Sequence, residues 1–201
     1  KLRENLNVQG VESAILEGEL SNQINIAIWT TTPWTIPANT AISVNSDLEY
    51  VFAADEEGRL LILASDLVNT VSNVIQRTLE IKAKVKGSLL EGVTYKHPLL
   101  DRSSRIVLGG DYITVESGTG LVHTAPGHGI DDFNTAMKYD LEVICPVDER
   151  GFFTSDAGPF KGLNVLKDAN QEIINALDAN GFLLKEYPYT HKYPYDWRTK
   201  E

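Results

Sequence analysis

The stretch Gly118-Thr119-Gly120-Leu121-Val122-His123-Thr124-Ala125-Pro126-Gly127-His128-Gly129-Ile130-Asp131-Asp132-Phe133 decides how this chain is read. It predicts a strand over Leu121–Thr124 that stops at a Gly/Pro loop, and the loop opens a helix from Asp131-Asp132 through Met137. Carboxylates in a first helical turn are favoured by the helix dipole, so one of the pair reads as a cap. The other is free to face whatever cavity the loop lines. His123, His128 and Asp132 are metal-ligand types, but a five-residue histidine spacing inside a glycine loop matches no standard zinc signature, and no metal is expected. A nucleophile system is a weaker reading still. There is no GxSxG, and Cys145 sits in Ile144-Cys145-Pro146, the apolar context of a buried structural thiol.

Ninety residues upstream lies a second polar segment, Thr30-Thr31-Thr32-Pro33-Trp34-Thr35-Ile36-Pro37-Ala38-Asn39. The run Ile24-Asn25-Ile26-Ala27-Ile28-Trp29 predicts a buried strand, and Pro33 ends its pairing. Threonines in series fit a strand or a structural turn. Their position where an apolar strand stops also releases hydroxyl and backbone groups, which can hold a ribose, a carbonyl or a water. Both readings stand on the residues alone.

Between and beyond these segments the pattern is of short strands and a few helices. Strands are predicted at 41–44, 50–54, 60–64, 81–85, 106–108 and 113–115, with a late one over Phe182–Tyr187. A helix is predicted from Ser65-Asp66 to about Arg77, and another over Lys167–Ala179 with Gly181 as its terminator. Residues 1–22 are weakly patterned, with a possible strand start around Val11 to Leu20. The 201 residues, 42% apolar and 23% charged, fit one mixed α+β domain with a core of its own and exclude a disordered or coiled-coil chain. No apolar run reaches the ~18–20 residues of a membrane span. A single cysteine excludes an internal disulfide and suits a reducing compartment. The net charge of -10 argues against a stand-alone nucleic-acid binder.

In this order and spacing, "WTTTPWTIPAN" and "GTGLVHTAPGHGIDDF" resemble the editing (CP1) insertion of isoleucyl-tRNA synthetases, class I enzymes. The likeness runs from about Ile24 to the end and includes "KYDLEVICPVDERGFFT" and "THKYPYDWRTK". Valyl and leucyl relatives usually read Thr-Thr-Arg-Pro where this chain has Thr-Thr-Thr-Pro. Signatures of a nucleotide-binding aminoacylation core are lacking, so the resemblance implies a single editing domain over 1–201, excised from a larger synthetase, with residues 1–20 at a truncated edge. It departs at Asp140, where a glycine is expected, a change that bears on a helix C-cap and not on chemistry.

The resemblance implies an α+β fold, mainly short strands in a small closed barrel-like core with peripheral helices. It also implies post-transfer proofreading: hydrolysis of valyl-tRNA(Ile), and of valyl-adenylate if that too is cleaved here, with isoleucine excluded by size. One methylene in a synthetic pocket is worth only ~1–3 kcal/mol, isoleucine against valine being the standard illustration of that limit. Position by position, Asp132 would pair with the substrate ammonium and Asp131 would be the cap. Thr30, Thr31, Thr32 and Thr35 would hold the terminal ribose and carboxyl group and orient water. His123 would line the pocket as size gate, Trp34 would wall the valine side chain, Asn39 would bond the adenosine or a loop, and Tyr193 would form the opposite wall. Cofactors are none in this domain, with ATP and Mg²⁺ belonging to the full-length enzyme. Partners are the tRNA 3′ end and the remaining synthetase domains, with no membrane, in the cytoplasm or an organellar stroma or matrix. The isolated domain would be a monomer.

Residues 77–105 hold seven basic residues, Arg77, Lys82, Lys84, Lys86, Lys96, Arg102 and Arg105, against three acids. With Lys192, Arg198 and Lys200 they are candidate tRNA contacts, giving weak, salt-sensitive binding; ordinary solvated charge is the competing reading. Two further classes compete on function: a non-catalytic module for a free amino acid or a tRNA 3′ end, and a metal-dependent hydrolase built on His123, His128 and Asp132.

Overall fold

The structure, a computed structural model, describes residues 24–190. In chain order the strands are β1 (Ile24–Ile26), β2 (Ala41–Val44), β3 (Glu49–Ala54), β4 (Leu60–Ala64), β5 (Glu80–Lys86), β6 (Thr94–Lys96), β7 (Ser103–Leu108) and β8 (Val122–Thr124). The α-helices are α1 (Val68–Ile75), α2 (Ile130–Tyr139) and α3 (Ala169–Ala179). Two four-stranded sheets result, ordered β1-β4-β3-β5 and β6-β7-β2-β8. The α+β class is observed; among the described residues the strands form these two sheets, and no closed barrel is found.

Strands β3 and β4 are buried almost end to end, so both faces of the first sheet are covered at its centre and their residues read as unbroken apolar runs, while edge strand β5 alternates exposed and buried. Their hairpin turns on Asp55, whose Oδ1 accepts the N–H groups of Glu57 and Arg59 at 3.0 and 2.9 Å. Its buried Oδ2 is met by Arg59 Nε at 2.8 Å and by Arg77 at 3.2 Å, so the charge is paired as burial requires. Tyr50 is fully buried, and burial pushes its phenol up to about 12. Its hydroxyl donates to Gly120 O at 2.8 Å, and Ala64 N donates to Thr119 O at the same distance. The Gly118-Thr119-Gly120 stretch is therefore where the chain closes onto the first sheet. Gly120 has φ +78, and a Cβ there would lie 2.4 Å from that of Ala64.

A second core of Ile36, Phe153, Phe160, Val165, Ile173 and Leu177, with Ala157 and Ala169, packs under α3. Helix α2 ends on Asp140 in the left-handed conformation (φ 51), a geometry that favours glycine, the residue expected there, and that aspartate tolerates.

Three expectations are corrected. Residues 113–115 are not a strand, because a turn pairs Ile113 N with Gly110 O at 3.2 Å and buries the isoleucine without a ladder. Phe182–Tyr187 is not a strand either: among the described residues no strand pairs with its backbone, and it runs as an extended segment with Leu183 packed on the second core and Leu184 on the first. Cys145 is exposed. The Ile144 carbonyl and the Cys145 Cβ abut Gly127, where a Cβ would sit 2.4 Å from Ile144 O, and the thiol beyond that contact is exposed. The weakly patterned residues 1–22 lie outside the described residues.

Candidate functional site

Strand β8 pairs antiparallel with β2, setting Ile42 opposite His123 and Ala41 opposite Thr124. That register carries the Thr30–Asn39 loop alongside His123. Within the loop, Pro33–Ala38 forms a 3₁₀ turn, with proline at a position whose N–H would be unsatisfied anyway. Thr32 O accepts from Thr35 N at 3.0 Å and Thr35 Oγ1 at 2.9 Å. One distant segment clamps the turn from behind. His97 Nε2 donates to Ile36 O at 2.8 Å while its Nδ1 accepts from Leu99 N and Leu100 N, each at 3.0 Å. Arg102 donates to Pro37 O at 3.1 Å and Asn39 O at 2.7 Å.

In front of the turn is a hollow of about 260 Å³ lined by Thr30, Thr31, Thr32, Thr35, His123, His128 and Asp132, with Trp29, Val122 and Ala125 as apolar walls. It is small beside the ~300–1,000 Å³ of general ligand pockets, and so suits one small group. It adjoins a groove of about 970 Å³ that shares Trp29, Thr30, Thr31 and His123 and is edged by Lys96, Lys185, Tyr187 and Tyr189. Trp29 meets Tyr189 edge to face, with centroids 4.9 Å apart.

Asp132 is half-buried, whereas Asp131 is exposed. The Asp132 Oδ2 accepts from Ala125 N at 2.8 Å, and its other oxygen makes no hydrogen bond to a described residue. Burial raises its carboxyl above the usual range, the Ala125 N–H works against that rise, and the Asp131 charge adds to it. The residue at the N-cap of α2 is Gly129, with no side-chain cap bond, so Asp131 acts on the helix through charge alone. His123 has Asn39 Nδ2 at 2.8 Å from Nδ1 and Thr35 Oγ1 at 3.0 Å from Nε2. Burial, with smaller contributions from His97 and His128, holds its imidazole down at about 4.

Of the residues named from sequence, the four threonines, His123 and Asp132 meet at the hollow. Trp34 does not line it. Its ring packs on the second core and edge to face against His128, centroids 4.9 Å apart, because Trp34 N is drawn to Asn170 Oδ1 of α3 at 2.9 Å. Asn39 lies behind His123, outside the small hollow, and borders the larger groove. Tyr193, Lys192, Arg198 and Lys200 lie outside the described residues. As for a metal, His123 spends both ring nitrogens on Asn39 and Thr35, and among the described residues no group of three His, Cys, Asp or Glu is arranged to hold one.

The basic segment is largely spoken for. Arg77 pairs with Asp55, Lys82 with Glu80 and Lys84 with Glu49; Lys86, Arg102 and Arg105 hold backbone carbonyls. Lys96 stands exposed at the groove. Sequence reasoning missed Trp29, taken only as a strand residue, although an aromatic immediately before a threonine run was a signal. It also missed Tyr95 and His97, and the structural bonds of Arg102, whose targets lie more than sixty residues away.

The depressed histidines fix a sign for acid stability. A group with a lowered folded pKa binds fewer protons folded than unfolded, so stability rises with pH through that window. Stability should therefore fall as pH drops from about 6.5 towards about 4, with His123 contributing up to roughly 3 kcal/mol and His97 and His128 adding in the same direction. Urea titrations at several pH values check this; a flat midpoint between pH 7 and 4.5 contradicts it.

The sequence profile described as "Leucyl-tRNA synthetase, editing domain" matches residues 9–181. The chain belongs to that editing-domain family. It is 63% identical over 200 residues to an isoleucine--tRNA ligase of Prochlorococcus marinus and 54% identical over 194 residues to that of Microcystis aeruginosa, matching 100% and 96% of this chain. It spans about a fifth of the length of these relatives (21% and 20%). Among solved structures it is similar to GlLeuRS-CP1, with TM-score 0.69 and 18% identity over 89% of this chain and 90% of that one. It is also similar to the Plasmodium falciparum cytosolic leucyl-tRNA synthetase editing domain, with TM-score 0.62 and 11% identity over 88% and 92%. At such identities the likeness shows a shared editing-domain fold. Among the described residues no helix is long and apolar enough to cross a membrane.

Proposed function

We propose that this editing domain hydrolyses the ester of valyl-tRNA(Ile), as the proofreading part of an isoleucyl-tRNA synthetase. The observation that carries the reading is one hollow holding a carboxylate with an uncommitted oxygen, four threonines and a neutral histidine. The substrate's ammonium binds Asp132 through a charge-assisted hydrogen bond, which fixes the aminoacyl end. Its small side chain fills the remaining space, and a sec-butyl group overpacks it at a cost of ~1–3 kcal/mol or more. Threonine hydroxyls and backbone amides in the loop hold the ribose and the carbonyl oxygen and orient water. An aminoacyl ester is already activated, so a positioned water and a home for the developing charge suffice.

The adjoining groove takes the terminal nucleotides, with Trp29, Tyr187 and Tyr189 as stacking faces and Lys96 and Lys185 for phosphate. Such a short contact explains how a chain of net charge -10 can serve tRNA when other domains hold the tRNA body. The test is deacylation of valyl-tRNA carrying the isoleucine anticodon, by the full-length enzyme and by this chain, with and without chelator. Chelator-resistant hydrolysis is expected. Chelator-sensitive turnover would replace the reading by a metal-dependent one, and saturable binding without turnover in the full-length enzyme would replace it by a binding module.

A further inference from the structure

We infer that Asn39, held by the Ala41 carbonyl and the Tyr95 hydroxyl, is a positioning residue that confines His123 to the tautomer bearing its proton on Nε2. The Asn39 side chain is buried, so each of its polar atoms needs a partner. Ala41 O, an acceptor only, lies 2.8 Å from one end of the carboxamide, which must therefore be the nitrogen. At the other end the Tyr95 hydroxyl donates to Oδ1 at 2.6 Å. With one Nδ2 hydrogen on Ala41 O, the second points at His123 Nδ1, 2.8 Å away. Nδ1 must then present its lone pair, and the ring proton resides on Nε2.

The opposite side of the ring gives the same answer independently. Nε2 is 3.0 Å from Thr35 Oγ1, whose single hydrogen is committed to Thr32 O at 2.9 Å. That hydroxyl can only accept, so Nε2 must donate. Tyr95, Asn39, His123, Thr35 and Thr32 thus form one directed chain of hydrogen bonds, with Tyr95 and Asn39 lying behind the hollow. On the proofreading reading, on which this consequence rests, His123 offers no lone pair to the attacking water. It shapes the site and holds Thr35, and the proton of the attacking water leaves by another route, such as relay through the substrate's own ribose hydroxyl to the departing ribose oxygen.

Long-range ¹H–¹⁵N spectra of the histidine rings in the 201-residue chain test this directly, without substrate. His97 is an internal reference, since Nε2–H donates to Ile36 O while Nδ1 accepts two amides. In the wild type near pH 7, His123 should show a protonated Nε2 and an unprotonated Nδ1, matching His97. Asn39→Asp places an acceptor opposite Nδ1 and should give His123 an Nδ1 proton while the His97 pattern stays unchanged. Tyr95→Phe frees one end of the carboxamide and should narrow the separation of the two His123 nitrogen shifts. An Nδ1–H tautomer in the wild type overturns the inference whatever the variants do, and so does an unchanged His123 pattern in Asn39→Asp. The tautomer is read apart from catalysis: a wild type with the expected spectrum but no valyl-tRNA hydrolysis in the full-length enzyme would sink the proposed function and leave this inference standing.

Discussion

Asp132→Asn is expected to lower valyl-tRNA deacylation by about 10²–10³-fold while leaving the fold intact. The factor follows from losing the partner of a desolvated ammonium, a loss of roughly 3–5 kcal/mol for broken buried pairs, discounted because one Asp132 oxygen faces an open hollow. The amide oxygen of asparagine still accepts the Ala125 N–H, so the loop keeps its bond. Because burial raises the Asp132 pKa, the ionised form is disfavoured in the folded chain, and the neutral amide removes that cost at pH 7. The variant should therefore be as stable as the wild type or slightly more so, and far less active. Asp132→Ala leaves the Ala125 N–H without a partner and should add a stability loss of ~1–3 kcal/mol. The raised carboxyl also sets the acid limb of the wild-type activity, which should decline at a pH above the ordinary aspartate range. Single-turnover deacylation beside urea denaturation separates the two effects, and full activity in Asp132→Asn would remove this residue from the reaction.

His123→Ala is expected to open the hollow to isoleucine. The imidazole lies against Thr35 on one side and Asn39 on the other, and deleting it removes a wall of the site held at both ring nitrogens. If that wall sets the size limit, isoleucyl-tRNA should become a substrate, with valine-over-isoleucine preference falling by about 10–100-fold, the range a single methylene commands. The valyl rate should fall less than in Asp132→Asn, because the ammonium anchor remains. Rates on both esters, measured with one preparation, give the ratio directly. Continued full protection of isoleucyl-tRNA would show that the boundary is set elsewhere, with Val122 and Trp29 the next walls to vary.

The site divides into a front that carries chemistry and a back that fixes it. Thr30, Asp132 and the hollow-facing loop are the front. The back is the clamp of Tyr95, His97 and Arg102 on the 3₁₀ turn, drawn from β6 and the segment leading into β7. As a basic residue in a basic segment Arg102 looks like a phosphate contact or a solvated charge; in the fold its Nη1 also bonds two carbonyls of the turn.

By itself the sequence determined most of the elements, though not β6 or the absence of strands at 113–115 and 182–187, and the chemistry available to them. The apolar runs of β3 and β4, the helices after Asp66 and Gly129, and the polar stops at Pro33 and Pro126 are local consequences of side-chain shape and hydrogen-bonding capacity, so they are legible in one dimension. Residue types marked the threonine run and the His/Asp loop as polar candidates, and the family resemblance singled out the four threonines, His123 and Asp132, neither showing that they meet. Tertiary structure alone decided that the β2–β8 register brings two segments ninety residues apart to one hollow. It also turned Trp34 away from that hollow, put Cys145 at the surface, split the strands into two sheets and gave Leu183 and Leu184 to different cores. The physical reason is common to all of these: pairing and burial depend on which distant surface reaches a residue first, and a sequence encodes that only through the competition of every part of the chain for the same partners.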